Sequence, residues 1–232
     1  MLRALINLFR SDDPLGAMGS DFSRMLDLTL NMTRQAGGLY FGAEASADIR
    51  TELYRIDIQV NRLERNVRKH LVAHLSLVGS QQDVPYGLAL MSLVKDVERL
   101  GDYAKNLAEV TDLHPGPLPD DEIVQELREI RSAVEQSFAE TMSVFANFDH
   151  ERAQQLILHG RNVTKRCDLL LSRIAHSSYD AQTTTAVVLG SRYYKRIAAH
   201  LLNVLSAIVM PLHKLDFYDE DALTLSGEEE GE

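Results

Sequence analysis

The chain has 232 residues, of which 45% are hydrophobic and 25% are charged, values that are ordinary for a globular protein with a sizeable core. It has no Trp and a single cysteine, Cys167, so an internal disulfide and a cysteine-rich zinc site are excluded. The net charge of −10 is uneven, because residues 216–232 hold eight acidic side chains and no basic one. The rest of the chain is therefore close to neutral, and direct nucleic-acid binding has little electrostatic support.

No apolar run approaches the roughly 18 residues from which a transmembrane helix is predicted. Residues 1–10 are too short for a secretory signal and lack a small-residue cleavage site. We therefore expect a cytoplasmic protein.

Residues 1–14 form a predicted N-terminal amphipathic segment. Leu2, Leu5, Ile6 and Phe9 fall on one face of it at helical spacing. Two interpretations remain open at this point. The segment is either a terminal helix packed on the rest of the protein or a docking element for a partner or a membrane surface.

The first long helix is expected from about residue 20 to residue 35. Ser20 and Asp21 are good N-cap residues, and the pair Gly37 and Gly38 is expected to end the helix.

The second helix, expected at 46–76, has the strongest helical pattern in the chain. Its apolar residues recur at steps of three and four: Ile49, Leu53, Ile56, Val60, Leu63, Val67 and Leu71. A third helix is expected from near Pro85 to Leu113. His70 and His74 share a face of the second helix, and they are interpreted as surface or interface residues, with metal binding as the alternative.

The only Pro/Gly cluster in the middle of the chain lies at 114–119 and divides it into similar halves. We predict one three-helix unit at 15–113 and a second at 120–212. The helices of the second unit are expected at 120–147, 149–176 and 181–208. Residues 213–232 form the acidic C-terminal tail: the stretch 211–218 is expected to fold back on the bundle, and 225–232 is expected to be solvated and disordered.

The third helix carries two carboxylates four residues apart, Glu98 and Asp102, which share one face with their Cβ atoms roughly 6 Å apart. Gly101 lies between them, and a glycine inside a helix suggests that a neighbouring backbone comes close. Like charges at this spacing weaken a helix unless they are neutralised. Arg99 and Lys105 can neutralise them, and a bound cation is the alternative.

The stretch 95–109 aligns with 192–206, a repeat that predicts duplicated bundles. Arginine and asparagine recur at matching positions, Asn106 and Asn203 among them, which suggests bonds across helices or to loops. The acidic positions do not recur: Glu98, Gly101 and Asp102 are replaced by Lys195, Ala198 and Ala199. The fold predicted from these patterns is all-α, with two tandem three-helix bundles of up-down topology.

The run from Glu98 to Glu109, ERLGDYAKNLAE, resembles the signature of the PhoU family, ER(I/L)GD(H/Y)AxN(I/L)AE. This resemblance implies a protein of two three-helix PhoU repeats. It also implies acidic pairs that bind metal ions on the bundle surface. Family members act with a phosphate transporter and a sensor kinase to restrain the response to phosphate starvation.

The resemblance also implies a set of metal ligands. Asp57 and Asn61 match the acidic pair of the family's second helix, beside Glu98 and Asp102 on the third. The ion would be iron, zinc, nickel, manganese or magnesium, since oxygen ligands suit hard and borderline cations. Because the second half lacks these residues, we expect metal only in the first repeat.

The function implied is that of a PhoU-like regulator acting by protein–protein contact. Its expected partners are a phosphate transporter component, a sensor histidine kinase or both, with peripheral membrane association through the partner and a homodimer as further possibilities. The alternatives are an accessory subunit of a sodium- or proton-coupled phosphate transporter and a metal-dependent hydrolase. A non-enzyme is expected, because no nucleotide loop or nucleophile–base motif is present.

Overall fold

The computed structural model describes residues 14–42, 46–77 and 80–217. Within these ranges the fold is all-α and contains no strand. The long helices are α1 (Pro14–Tyr40), α2 (Ser46–Leu75), α3 (Val84–Leu113), α4 (Glu122–Asn147), α5 (His150–Ala175) and α6 (Ala181–Val209). Short 3-10 turns precede α3 and follow α6. The predicted segment at 1–14, apart from Pro14, and the tail from residue 218 onward lie outside the described residues.

The six helices form two bundles of three. Helices α1, α2 and α3 pack against one another, as do α4, α5 and α6, while α3 on α6 and α1 on α4 join the bundles. The predicted architecture of two tandem three-helix bundles is therefore confirmed. None of the helices in the described part is long and apolar enough to cross a membrane.

Apolar periodicity accounts for α2, and capping aspartates account for the starts of α4, α5 and α6. The apolar seam of α2 is buried as predicted at Leu53, Ile56, Val60, Val67 and Leu71. Helices α4, α5 and α6 each begin after an aspartate whose carboxylate accepts backbone N–H groups of the first turn: Asp121, Asp149 and Asp180. Cys167 of α5 is also buried.

The predicted bounds of α1 are wrong at both ends. The helix begins at Pro14 and continues through Gly37 and Gly38 to Tyr40, so Ser20 and Asp21 lie inside it rather than at its start. The reason lies in the packing between the bundles. A Cβ built on Gly37 would lie 2.7 Å from Arg131 Nε and 2.8 Å from Tyr194 Oη. This glycine makes room for the second bundle and does not end the helix.

The end of α1 is bonded to the second bundle. Tyr40 Oη donates to the carbonyl of Ala186 at 3.0 Å, and Arg131 Nη1 donates to the carbonyl of Gly37 at 2.9 Å. The Gly37 carbonyl also accepts the backbone N–H of Phe41 at 3.1 Å, so the Arg131 guanidinium is its second donor. The Tyr40 ring lies against α6 where Gly190 leaves space for it.

A buried carboxylate joins the bundles at the α3–α6 interface. Asp96 is only 6% exposed, and its Oδ1 accepts from Asn203 Nδ2 at 2.9 Å and lies 2.7 Å from His200 Nδ1. Asn203 therefore bonds across helices, as the repeat suggested. Asp216, with a positive φ of 70°, lies beside this group, and burial together with the charge of Asp96 raises the pKa of Asp216.

We predict that Gly190→Ala destabilises the protein by about 1–3 kcal/mol, the usual cost of overpacking a core. The new Cβ would lie 2.2 Å from Tyr40 Oη and 2.5 Å from its Cζ, and a ring held at its hydroxyl cannot move away freely. Urea unfolding measures the change. Gly116→Ala is the control, since the nearest atom to its Cβ lies at 3.9 Å. A stability equal to that of the control would contradict this account.

We also predict that Asp216→Asn stabilises the protein at pH 7. Because the pKa of Asp216 is raised in the folded state, its ionised form costs stability at neutral pH. That cost disappears below the unfolded pKa of about 4, so wild type and variant should converge at low pH. Unfolding at pH 7 and pH 3 tests this, with the exposed Asp27→Asn as control. A gain that is the same at both pH values would exclude ionisation as its cause.

Candidate functional site

Polar contacts bridge α2 and α3 along their outer groove. Arg50 pairs with Asp112 at one end of the groove, and one helical turn away Tyr54 Oη donates to Glu109 Oε1 at 2.6 Å. The helices are antiparallel, so successive turns of α2 meet successive turns of α3 in reverse order. These bonds hold the two helices in one register.

Lys105 lies at the centre of this groove. Its Nζ lies 3.2 Å from Asp57 Oδ2 and 3.3 Å from Asp102 Oδ1, and Asn61 Nδ2 donates to Asp57 Oδ2 at 3.3 Å. Three of the four predicted site residues are thus brought together around one ammonium group. Burial by itself would lower the pKa of Lys105, but the bonds and charges of both carboxylates outweigh it and raise that pKa.

Glu98 lies one turn further along α3 and is held from its own helix. Lys95 Nζ lies 2.7 Å from Glu98 Oε2, while Arg99 contacts Glu98 at 3.8 Å and Asp102 at 3.0 Å. The Glu98 side chain is 12% exposed, so its charge needs a close partner. The carboxylates of the predicted site are balanced by Lys95, Arg99 and Lys105.

This arrangement does not fit a metal ion as it stands. The ammonium of Lys105 takes the position between Asp57 and Asp102 that a cation would need. No group of three or more His, Cys, Asp or Glu side chains within the described ranges converges as metal ligands do. A metal ion could bind here only after Lys105 moves away. The predicted metal site therefore stays a prediction.

Gly101 lies on the inner side of α3, the helix that carries the signature run 98–109 and is called the signature helix below. A Cβ at this position would lie 3.3 Å from Thr29 Cγ2 and 3.4 Å from Met32 Sδ of α1. The close neighbours are side chains rather than the backbone that we expected. The face of α3 that carries Gly101 therefore packs on α1, while Asp102 and Lys105 lie on the side that faces α2.

The matching groove of the second bundle is built differently. Lys195, at the position of Glu98, pairs with Asp168 of α5 at 2.6 Å. Gly160, at the position that corresponds to Asp57, leaves space for Leu202 of α6: a Cβ built on this glycine would lie 2.5 Å from Leu202 Cδ2. Arg192 also lies 4.0 Å from Asp168, so a single carboxylate with two cations and an apolar contact occupy the described part of this groove.

Sequence reasoning missed the roles of Arg50, Tyr54 and Glu109 in the outer groove. Tyr54 precedes Asp57 by three positions, a spacing that places both on one face of α2, and this was the available signal. His74 Nε2 lies 2.9 Å from Asp83 Oδ2, while His70 is exposed. This contact agrees with their interpretation as surface or interface residues.

We predict that Lys105→Met lowers the free energy of unfolding by about 1–2 kcal/mol, because two charge-assisted hydrogen bonds are lost. Adding Mn²⁺ should then stabilise the variant more than wild type, since Asp57, Asp102 and the Asn61 amide oxygen become free to bind it. Unfolding with and without Mn²⁺ measures this, and Lys95→Met is the control. If Mn²⁺ stabilises wild type as much as the variant, Lys105 does not exclude metal.

Comparison with known proteins finds a matching domain in the first bundle and a similar protein. The PhoU domain model matches residues 22–111, which contain the signature helix and its groove. A phosphate-specific transport system accessory protein PhoU homolog from Pseudomonas aeruginosa is 24% identical over 173 residues, which are 72% of this chain and 71% of that protein.

Two crystal structures have the same fold. PhoU from Pseudomonas aeruginosa matches with a TM-score of 0.75 at 22% identity, over 84% of this chain and 95% of that chain. The phosphate transport system regulatory protein PhoU from Streptococcus pneumoniae matches with a TM-score of 0.70 at 14% identity, over 87% and 94% of the two chains. The matched domain, the signature that it contains and the shared two-bundle fold lead to one conclusion: residues 22–111 are similar to the PhoU domain, and the chain has the fold of the two PhoU crystal structures.

Proposed function

We propose that this protein regulates phosphate transport and phosphate-starvation signalling in the cytoplasm by contact with other proteins. The expected partners are a phosphate transporter component, a sensor histidine kinase or both. The observation that carries the proposal is the PhoU domain match at 22–111. It is supported by the names of the similar proteins, an accessory protein and a regulatory protein of phosphate transport systems.

The chemistry of the described residues supports a binding role over a catalytic one. Burial raises the pKa of the Cys167 thiol to about 12, so it is a poor nucleophile at neutral pH. His200 is held by Asp96, and His74 contacts Asp83. In the outer groove, Asp57, Asp102 and Asp112 are each paired with a lysine or arginine, and Glu109 accepts from the Tyr54 hydroxyl. Each of these carboxylates is thus engaged in a structural contact, which favours a binding role.

Metal binding is not needed for this role. The outer groove is held together by ion pairs and hydrogen bonds of the chain itself, with Lys105 between Asp57 and Asp102. The proposal therefore concerns a surface for protein contact, and the metal question is tested separately by Lys105→Met.

Deleting the gene tests the proposal. In phosphate-replete cells of the source organism, the deletion should raise a phosphate-starvation reporter, and the wild-type gene should restore repression. Cross-linking of the tagged full chain in these cells should identify a transporter subunit or a sensor kinase. Cross-links to a lone sodium- or proton-coupled permease would favour the accessory-subunit alternative. An unchanged reporter together with unchanged phosphate uptake would refute the proposal.

A pair of matched variants tests the signature surface. Glu98→Ala/Asp102→Ala should impair repression more than Glu126→Ala/Glu129→Ala, which removes two carboxylates that pair with Arg166 in the second bundle. Both changes disrupt ion pairs, so protein abundance must be compared in the same cells. Equal loss of repression in the two variants would mean that the signature carboxylates act only through stability.

A further inference from the structure

The outer face of α2 is basic although the chain as a whole is acidic. Arg55, Arg62, Arg65 and Lys69 are exposed and recur at steps of seven, three and four, so they form one stripe along the helix. We call these four residues, with the exposed side chains of Ile58 and Val72 that continue the same spacing, the basic stripe. The two apolar side chains are 58% and 59% exposed.

Most of the charge on this stripe is uncompensated within the described part of the chain. Arg55 lies 3.6 Å from Glu52, but no ion pair is formed there by Arg62, Arg65 or Lys69. The other acidic residues nearby are already paired, since Glu64 contacts Arg68 at 3.0 Å and Asp57 contacts Lys105. Three adjacent cations on one helical face repel one another, and a nearby acidic segment would reduce that repulsion.

The chain itself contains a segment of complementary charge. Residues 218–232 hold seven acidic side chains and no basic one, together with Leu223 and Leu225. Carboxylates and two leucines match the cations and the two exposed aliphatic residues of the basic stripe. The complementarity therefore covers both charge and apolar contact.

This segment leaves the described fold at the α3–α6 interface, level with the middle of the basic stripe along α2. Asp216 is beside Ser92 and Asp96 of α3. Two contacts give the register of the antiparallel helices: Gly87 of α3 lies beside Leu71 of α2, and Lys105 of α3 pairs with Asp57 of α2. Asp96 is midway between Gly87 and Lys105, so it lies level with about residue 64 of α2.

The segment is long enough to reach the basic stripe. Packed helices have axes about 8–10 Å apart and diameters of about 10–12 Å, so a route around α3 to the outer face of α2 is shorter than the roughly 50 Å that 15 extended residues span. The exposed part of α3 carries Lys95 and Arg99, whose side chains are 41% and 43% exposed.

We infer that the acidic segment at residues 218–232 binds the basic stripe of α2 within the same chain, its carboxylates against Arg62, Arg65 and Lys69. This differs from the solvated tail that the composition predicted, because composition alone does not show what surface faces the segment. The inference does not depend on the phosphate-related function proposed above.

Paramagnetic NMR of the full chain tests this contact. A nitroxide is attached through Ser226→Cys, which preserves every charge of the segment. Cys167 stays unlabelled because it is buried and the pKa of its thiol is raised to about 12. The amide signals at 58–72 of α2 should broaden much more than those at 158–173 on the outer part of α5.

Charge variants and salt identify the cause of the broadening. Arg62→Gln/Arg65→Gln/Lys69→Gln should abolish it, whereas Lys165→Gln/Arg173→Gln, which removes exposed cations of α5, should leave it unchanged. About 1 M NaCl, which shortens the Debye length to about 3 Å, should also remove it. Equal broadening of α2 and α5, or broadening that persists in the triple variant, overturns the inference.

A mixed sample and a vesicle titration distinguish binding within one chain from binding of a second chain or a membrane surface. Spin-labelled chains without ¹⁵N are mixed with ¹⁵N-labelled chains that carry no nitroxide. Broadening of α2 in this sample, at the strength seen within one chain, would assign the stripe to a second copy and overturn the inference. The inference would also be overturned if the nitroxide does not broaden the α2 amide signals and phosphatidylglycerol vesicles shift them. That result would assign the stripe to a membrane surface.

Discussion

The packing of α3 between α1, α2 and α6 is the constraint on which the rest of this structure depends. Each contact uses a different side of one helix: Gly101 admits α1, Asp96 bonds to α6, and Lys105 pairs with α2. A helix held on three sides cannot rotate or slide without breaking all of these contacts. The residues of α3 that line the outer groove are therefore held in one orientation, which suits the protein-contact role proposed above.

Within that strip, a lysine carries out the electrostatic task that the family signature suggests for a metal ion. Two carboxylates on facing helices need a positive charge between them, and the ammonium of Lys105 supplies it at 3.2 and 3.3 Å. A covalently attached cation cannot be removed by a chelator or exchanged. The groove is thus stable without an ion, although every pair in it is partly exposed and contributes modestly.

The two bundles keep one architecture while their surfaces have diverged. Lys195 replaces a carboxylate in the second groove, and Gly160 replaces another so that Leu202 can pack. The core positions still match in character, because the apolar seams must be buried whatever the surface does. Charge is also distributed unevenly, with uncompensated cations along α2 and seven carboxylates without any cation after residue 217. The inferred contact within the chain follows from that imbalance.

The all-α fold, the six helices, the two bundles and the resemblance to PhoU proteins could be predicted from the sequence, because apolar periodicity, the Pro/Gly cluster at 114–119 and the ERLGDYAKNLAE run are local patterns. The pairing of Asn203 across helices could also be anticipated, since asparagine recurs in both halves. Only the tertiary structure decided that Gly37 continues α1, because the Arg131 and Tyr194 atoms that require a glycine come from distant parts of the chain. It likewise decided which cation lies between Asp57 and Asp102: helical spacing places Lys105 near Asp102, but whether it reaches α2 depends on the register of two packed helices, and that register is set by long-range contacts.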